Sequence, residues 1–256
     1  MDFLIAAHTD IGIRKKTNQD SVLVKVADTD YGRVALAVIC DGMGGLRKGE
    51  LASATLIRYF SDWFDHTFPE LIYEGFDASD IRKSWESQVS ICIKDLERYS
   101  VEQNVKMGTT LVSLLIANNS YYIMNIGDSR AYEITDTMWQ ITKDQTYVQR
   151  EIDMGRMTEE EAKRDPQRNV LLQCVGASDF IEPEFLTGTV DYNAVYLLCS
   201  DGFRHIISSQ EIQERLNPHN LTDETIMHDQ LVYLTELNKF RREDDNISAA
   251  VIRVFQ

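Results

Sequence analysis

"VALAVICDGMGG", residues 34–45, runs an apolar stretch straight into Asp41 and then places three glycines in the next four positions. The run reads as a buried strand. A carboxylate at the exit of such a strand costs several kcal/mol unless something cationic meets it. "VYLLCSDGF", 195–203, repeats the arrangement and ends on Asp201 and Gly202. One such end is ordinary turn chemistry, since Asp-Gly is a common turn dipeptide. Two of them ask for a common partner.

Further apolar, β-branched runs lie on either side: "FLIAAHT" (3–9), "SVLVKVA" (21–27), "TTLVSLLIA" (109–117), "YYIMNIG" (121–127), "RAYEIT" (130–135) and "ISAAVIRVF" (247–255). Turn signals such as "TDYG" (29–32) and "NNS" (118–120) join several of them, which predicts antiparallel hairpins rather than βαβ crossovers. Helical spacing fills the gaps. Residues 48–64 set Leu51, Ala54, Thr55, Ile57, Arg58 and Phe60 at roughly helical intervals. Residues 77–103 advance through Ile81, Trp85, Val89, Ile93 and Leu96 in steps of three and four, which predicts an amphipathic face. A third helix is expected over 224–240. Helices gathered around antiparallel strands make an α+β layered domain, with 1–256 as one unit. Residues 143–179 differ: they are charged, broken by Gly155 and Pro166, and carry no sustained apolar face. "TEEEAKR" (158–164) predicts a short helix capped by Thr158, and the whole stretch reads as a surface flap.

With 43% hydrophobic and 26% charged residues the composition is that of a folded chain. Twenty-six basic against 41 acidic side chains leave a formal charge of −15, which repels phosphate backbones and argues against a nucleic-acid partner. No run approaches the 18 or so apolar residues of a membrane span, and the N-terminus lacks the pattern of a signal peptide. No membrane insertion is expected. Cys40, Cys92, Cys174 and Cys199 are scattered, without the spacing of a disulfide framework, so a reduced, cytoplasmic chain is expected.

Aspartates recur where apolar strands end or turn: Asp20, Asp41, Asp128, Asp144, Asp201, and Asp244 or Asp245. If these strands are neighbours, several carboxylates meet at one edge, and like charges that close cannot all ionise without compensation. An oxygen-only set suits a hard divalent cation, Mg²⁺ or Mn²⁺. The five histidines show no ligand spacing, which makes zinc a poor candidate. Glycine after the aspartate lets the backbone turn sharply and present the Gly42 carbonyl to the same ion.

In order, "GIRKKTNQDS" (12–21), "CDGMGG" (40–45), "MGTTL" (107–111), "NIGDSRAYEI" (125–134), "ITKDQTYV" (141–148), "LLCSDGF" (197–203) and "DDNISAAVI" (244–252) resemble the motif series of the metal-dependent protein phosphatases, the type 2C serine/threonine phosphatases, and their compact bacterial branch in particular. The resemblance covers nearly the whole chain. It implies a four-layer αββα sandwich with two Mn²⁺ or Mg²⁺ ions in a cleft at one edge, and a third, weaker ion as in bacterial members. Carried over by position, Asp41 bridges the two ions and the Gly42 carbonyl serves the second. Asp201 and Asp245 serve the first, and Asp20 holds metal-bound water. Asp144 shares a third ion with Asp201, and 145–179 is the flap. The implied reaction is hydrolysis of phosphoserine or phosphothreonine in a partner protein by a water activated between the ions. It would oppose a serine/threonine kinase, in a chain expected to be a monomer.

The departures are specific. The family's phosphate-orienting arginine is replaced by Lys15, with Arg14 beside it, and lysine offers a point charge rather than a bidentate fork. Gln19 stands where glutamate is usual, removing one charge near the second ion. Met43 occupies the place of the histidine that animal relatives use as an acid, and is read as a packing residue. Asp128 and Arg130 are read as braces of strand ends, and Trp63, Trp85 and Trp139 as core or helix-face aromatics. Two other functions use similar residues. One is a pseudophosphatase that binds phosphoproteins without turnover, motivated by Lys15 and Gln19; the other, a two-metal nuclease, is disfavoured by the charge.

Overall fold

The computed structural model describes residues 1–43 and 48–255; Gly44 and Gly45 of the opening motif lie outside them. The strands in chain order are β1 (Asp2–Asp10), β2 (Asp20–Thr29), β3 (Gly32–Asp41), β4 (Leu111–Ala117) and β5 (Ser120–Ile126). They continue as β6 (Arg130–Ile134), β7 (Met138–Gln140), β8 (Glu184–Thr189), β9 (Val195–Cys199) and β10 (Ile247–Phe255). Two five-stranded antiparallel sheets result, in the orders β2-β3-β4-β5-β8 and β1-β10-β9-β6-β7.

Strand β3, formed by the opening stretch, shows why its run has no polar face. Val34, Leu36, Val38 and Cys40 enter a cluster shared with helices, while Ala35, Ala37 and Ile39 enter the layer between the sheets. The same split holds in β9, where Val195, Leu197 and Cys199 face helices and Tyr196 and Leu198 face the other sheet. A strand covered on both sides must be apolar on both. The sandwich is therefore four layers deep. On one outside lie α1 (Gly49–Asp62), a π-helical turn (Trp63–Thr67), α2 (Phe68–Glu74) and α3 (Ala78–Gln103). On the other lie α6 (Asp201–Arg204), α7 (Ser209–Leu216) and α8 (Glu224–Phe240). The α+β sandwich is thus the observed fold.

Local differences have local causes. Helix α3 buries Ile81, Trp85, Val89, Cys92 and Leu96, so the small Cys92 rather than Ile93 completes the face. Its start is fixed by Asp77, which accepts from the Ser79 and Asp80 amides in a capping box. Helix α1 is rotated from the expected face: it buries Ala52, Ser53, Leu56 and Phe60, leaving Ala54 exposed. Trp63 and Trp85 pack edge to face in the core, but Trp139, on β7, is 70% exposed and is no core aromatic. Residues 145–179 hold α4 (Tyr147–Asp153) and α5 (Glu159–Ala162), the latter capped by Thr158 with Glu161 reciprocating. Bridges of Thr146 to Leu171 and of Val175 to Thr109 close this segment at its base. All four cysteines are free and buried, and no described helix is long and apolar enough to cross a membrane.

Candidate metal centre

Register brings the first two carboxylates face to face. Asp20 opens β2 and Asp41 closes β3, and the antiparallel pairing sets them directly opposite. Like charges in that position repel unless a cation lies between them. The opposite sheet contributes Asp201, two residues beyond the end of β9, and Asp245, two residues before β10. Asp128 joins them from the turn between β5 and β6.

Backbone contacts hold this edge rigidly. The Asp41 amide donates to Thr110 Oγ1 at 3.0 Å, and the Asp41 carbonyl accepts from Thr109 Oγ1 and the Thr110 amide, each at 2.9 Å. Thr110 Oγ1 meets Ser129 Oγ at 2.8 Å, next to Asp128. The Gly42 amide donates to the Gln19 carbonyl at 3.1 Å, while its own carbonyl lies against Gly49 at the head of α1. A Cβ on Gly42 would collide with the Gly49 carbonyl, so only glycine lets these backbones approach. Met43 packs its sulfur against Gly108, in keeping with a packing role. The Gln19 carboxamide reaches Glu50 at 3.4 Å.

Electrostatics show what the edge lacks. Both carboxylate oxygens of Asp20, and Oδ1 of Asp201, are buried without a hydrogen-bond partner among the described residues. Burial pushes Asp20 up to about 7; the Ser248 and Ser200 hydroxyls oppose this without well-formed hydrogen bonds, and Asp201 and Asp245 add to it. Burial also raises Asp41 well above the carboxylate range, with Asp20, Asp201, Asp128 and Asp245 reinforcing it. Asp128 is pushed up to about 7 by burial and then by Asp201. Orphaned, mutually repelling carboxylates are what a hard divalent ion satisfies. Among the described residues no three acidic, histidine or cysteine side chains gather closely enough to hold an ion by themselves. That looseness fits Mg²⁺ or Mn²⁺, which keep several waters and take few direct protein ligands.

One cation already stands there. Lys15 Nζ pairs with Asp245 Oδ1 at 2.6 Å, and burial, which would lower its pKa, is outweighed by Asp245, Asp41 and Asp201. Arg14 turns outward instead, pairing with Asp244 at 2.8 Å with its side chain 72% exposed. Glu243 fixes the approach to Asp245 by accepting from the Asp244 and Asp245 amides at 2.9 and 3.0 Å. His205 stands between Asp201 and Glu243, at 3.7 and 3.8 Å.

Asp144 departs from its expected role. Arg130 grips it bidentately at 2.6 and 2.7 Å, and Arg204 approaches it at 3.4 Å. Burial disfavours its charge, yet Arg204 and Arg130 hold it below the usual range. Its oxygens serve arginines, and Asp128, read from sequence as a brace, takes the place in the acidic cluster. Arg130 does act as a brace. Arg204, which also donates to the Asp128 carbonyl at 2.8 Å, and Glu243 and His205 were not singled out from sequence, where nothing in their spacing marks them.

Residues 12–236 match the protein phosphatase 2C family. The serine/threonine phosphatase stp of Listeria innocua is 30% identical over 220 residues, 85% of this chain and 83% of its own length. The serine/threonine protein phosphatase PstP of Mycobacterium tuberculosis is 34% identical over 215 residues, 82% of this chain but 38% of PstP. The solved catalytic domain of PstP, in complex with two manganese ions, superposes with a TM-score of 0.79 at 29% identity, over 99% of each chain.

Proposed function

The chain belongs to the protein phosphatase 2C family and is a serine/threonine phosphatase of that type, and from this premise we propose that it hydrolyses phosphoserine and phosphothreonine in partner proteins with two divalent cations, opposing a kinase. The observation that carries the metal reading is the set of buried, unpartnered carboxylate oxygens on Asp20 and Asp201, beside Asp41 and Asp128. A relative of the same fold that binds two manganese ions supports it. In this reading Asp41, the Gly42 carbonyl, Asp201 and Asp245 hold the pair, with Asp20 and Asp128 around them. When bound, such a pair supplies an activated water and positive charge for the phosphoryl oxygens. The whole chain serves as one catalytic unit, with 145–179 as a flap beside the cleft.

The protein's own groups do the rest. Lys15, rather than the outward Arg14, presents its ammonium to the phosphate, as a point charge without the planar fork of an arginine. Asp20, with both oxygens unpartnered, accepts hydrogen bonds from water at the reacting face. Thr109 and Thr110 prevent Asp41 from yielding as charge changes around it. Met43 offers no proton, so the leaving oxygen takes its proton from solvent.

Mn²⁺-dependent release of phosphate from a phosphothreonine peptide tests this reading. Activity should vanish with a chelator and fall at least about 100-fold in Asp41→Asn, more than outer-sphere changes around a metal typically cost. Peptide binding with no turnover at saturating Mn²⁺ would instead mark a pseudophosphatase.

A further inference from the structure

The acidic cluster is assembled from both sheets, so its dimensions depend on what ties one sheet edge to the other. The Asn246 side chain is that tie. It is 2% exposed and follows Asp245 directly. Its Oδ1 accepts from the Gln19 amide at 2.9 Å, and its Nδ2 donates to the Ile11 carbonyl at 2.9 Å and the Thr17 carbonyl at 3.3 Å. Both donors of the carboxamide and one acceptor are thereby engaged with a single distant loop, the one that carries Arg14 and Lys15. Gln19 passes the connection on. Its carbonyl accepts from the Gly42 amide at 3.1 Å and from Ser53 Oγ at 2.6 Å, and the next residue is Asp20.

Packing leaves the Asp245–Asn246 backbone little freedom. A Cβ on Gly12 would collide with the Asp245 carbonyl, and one on Gly202 with the Asn246 carbonyl. The segment is wedged between the loop after β1 and the start of α6; the Asp245 side chain meets that loop at Lys15, and the Asn246 side chain reaches it as far as Gln19, the residue before β2. Aspartate at 246 would keep the acceptor but lose both donors, and alanine would lose all three contacts.

We propose that Asn246 is a positioning residue, the clasp that fixes Asp201 and Asp245 of one sheet relative to Asp20 and Asp41 of the other and so determines whether two divalent cations bind as a pair. The proposal rests on the metal reading above. Electron paramagnetic resonance during Mn²⁺ titration, with calorimetric stoichiometry, reads it directly. The natural protein should bind two ions and show the spectrum of an exchange-coupled pair. In Asn246→Ala the second ion should weaken by about 10–100-fold, the range seen when outer-sphere partners of metal sites are removed, and the coupled signal should give way to that of isolated ions. Asn246→Asp, which keeps the bond to the Gln19 amide but turns a carboxylate oxygen onto the Ile11 and Thr17 carbonyls, should not restore the coupled signal. Asn246→Ser, too short to reach the loop, carries the same expectation as alanine should that variant not fold. Leu231→Ala, a core truncation in α8, should lower the melting temperature while leaving the coupled signal intact, which separates positioning from general stability. A folded Asn246→Ala or Asn246→Ser with natural stoichiometry and an unaltered coupled spectrum would overturn the clasp alone. A natural protein that never shows a coupled pair would overturn the metal reading beneath it.

Discussion

At the scale of single residues, the division of labour among the aspartates follows how closely a cation stands to each one. Asp144 is largely enclosed yet held in its charged form, because Arg204 and Arg130 face it. Asp128 meets Arg204 only at 3.9 Å, and burial and then Asp201 push it up to about 7. The two should therefore respond oppositely to substitution. Asp144→Asn should leave Mn²⁺ affinity near that of the natural protein but lower stability, while Asp128→Asn should weaken Mn²⁺ binding and cost little stability, since it removes a repelling charge. Calorimetric titration alongside denaturant unfolding checks both. Arg130→Ala should be worse than either for stability. It leaves the Asp144 carboxylate to Arg204 alone, at 3.4 Å, and the roughly 3–5 kcal/mol that losing one partner of a buried ion pair typically costs is the upper bound of the loss. Lys15→Ala should raise KM for a phosphopeptide more than it lowers kcat, and Arg14→Ala, in solvent already, should do neither.

At the scale of elements, β1 and α8 meet through a histidine pair whose titration should be visible in stability. His8 on β1 and His228 on α8 stand edge to face at 5.6 Å. Burial, then the neighbouring His228, lowers the His8 pKa; Asp10 and Glu236 favour its charge and Lys239 opposes it. The unfolded chain thus takes up this proton at a higher pH than the folded one. The His8 contribution to stability should fall as pH drops below about 6.5, by a fraction of the ~1.4 kcal/mol that one pKa unit represents, because the ring is only partly buried. The raised Asp20, Asp41 and Asp128 carboxyls act in the opposite sense but are common to both proteins, so in urea unfolding between about pH 7.5 and 5.5 His8→Gln should gain stability relative to the natural protein as pH falls. Elements like these were legible in the sequence where one residue type dominates a face. The apolar runs of β3, β9 and β10 announce strands covered on both sides, and α8 is bounded as its periodicity predicts. Strand β7 is three residues long, and β8 alternates weakly around Gly188, so neither carries a pattern strong enough to read. The α1 face was misplaced because its buried side includes Ala52 and Ser53, which hydropathy does not mark. Asn246, Thr110 and Arg204 were illegible for another reason: each acts by a hydrogen bond to backbone or side chain far away in sequence, and spacing holds no trace of that partner.

At the scale of the whole molecule, which carries a formal charge of −15, Asp20, Asp41, Asp128, Asp201 and Asp245 repel one another at one sandwich edge, across the seam between the sheets. Those carboxylates come from β2, β3, the β5–β6 turn, α6 and the approach to β10, so an ion held there crosslinks segments spread over the full chain. Anything that binds the folded but not the unfolded state stabilises it by mass action, about 2.7 kcal/mol at a free concentration 100 times Kd. For a chain of this size each kcal/mol raises Tm by roughly 2–4 °C. Saturating Mn²⁺ at a single site of that occupancy should therefore raise Tm by about 5–11 °C, and a second site should add to it. Simple screening of the acidic surface would also raise Tm, but it would follow ionic strength and would be reproduced by NaCl. Differential scanning calorimetry with Mn²⁺, with chelator, and with NaCl at matched ionic strength separates the two. The crosslink predicts a shift that saturates with Mn²⁺, reverses on chelation, and is largely lost in Asp41→Asn. A shift of equal size in NaCl would reduce the acidic edge to surface charge.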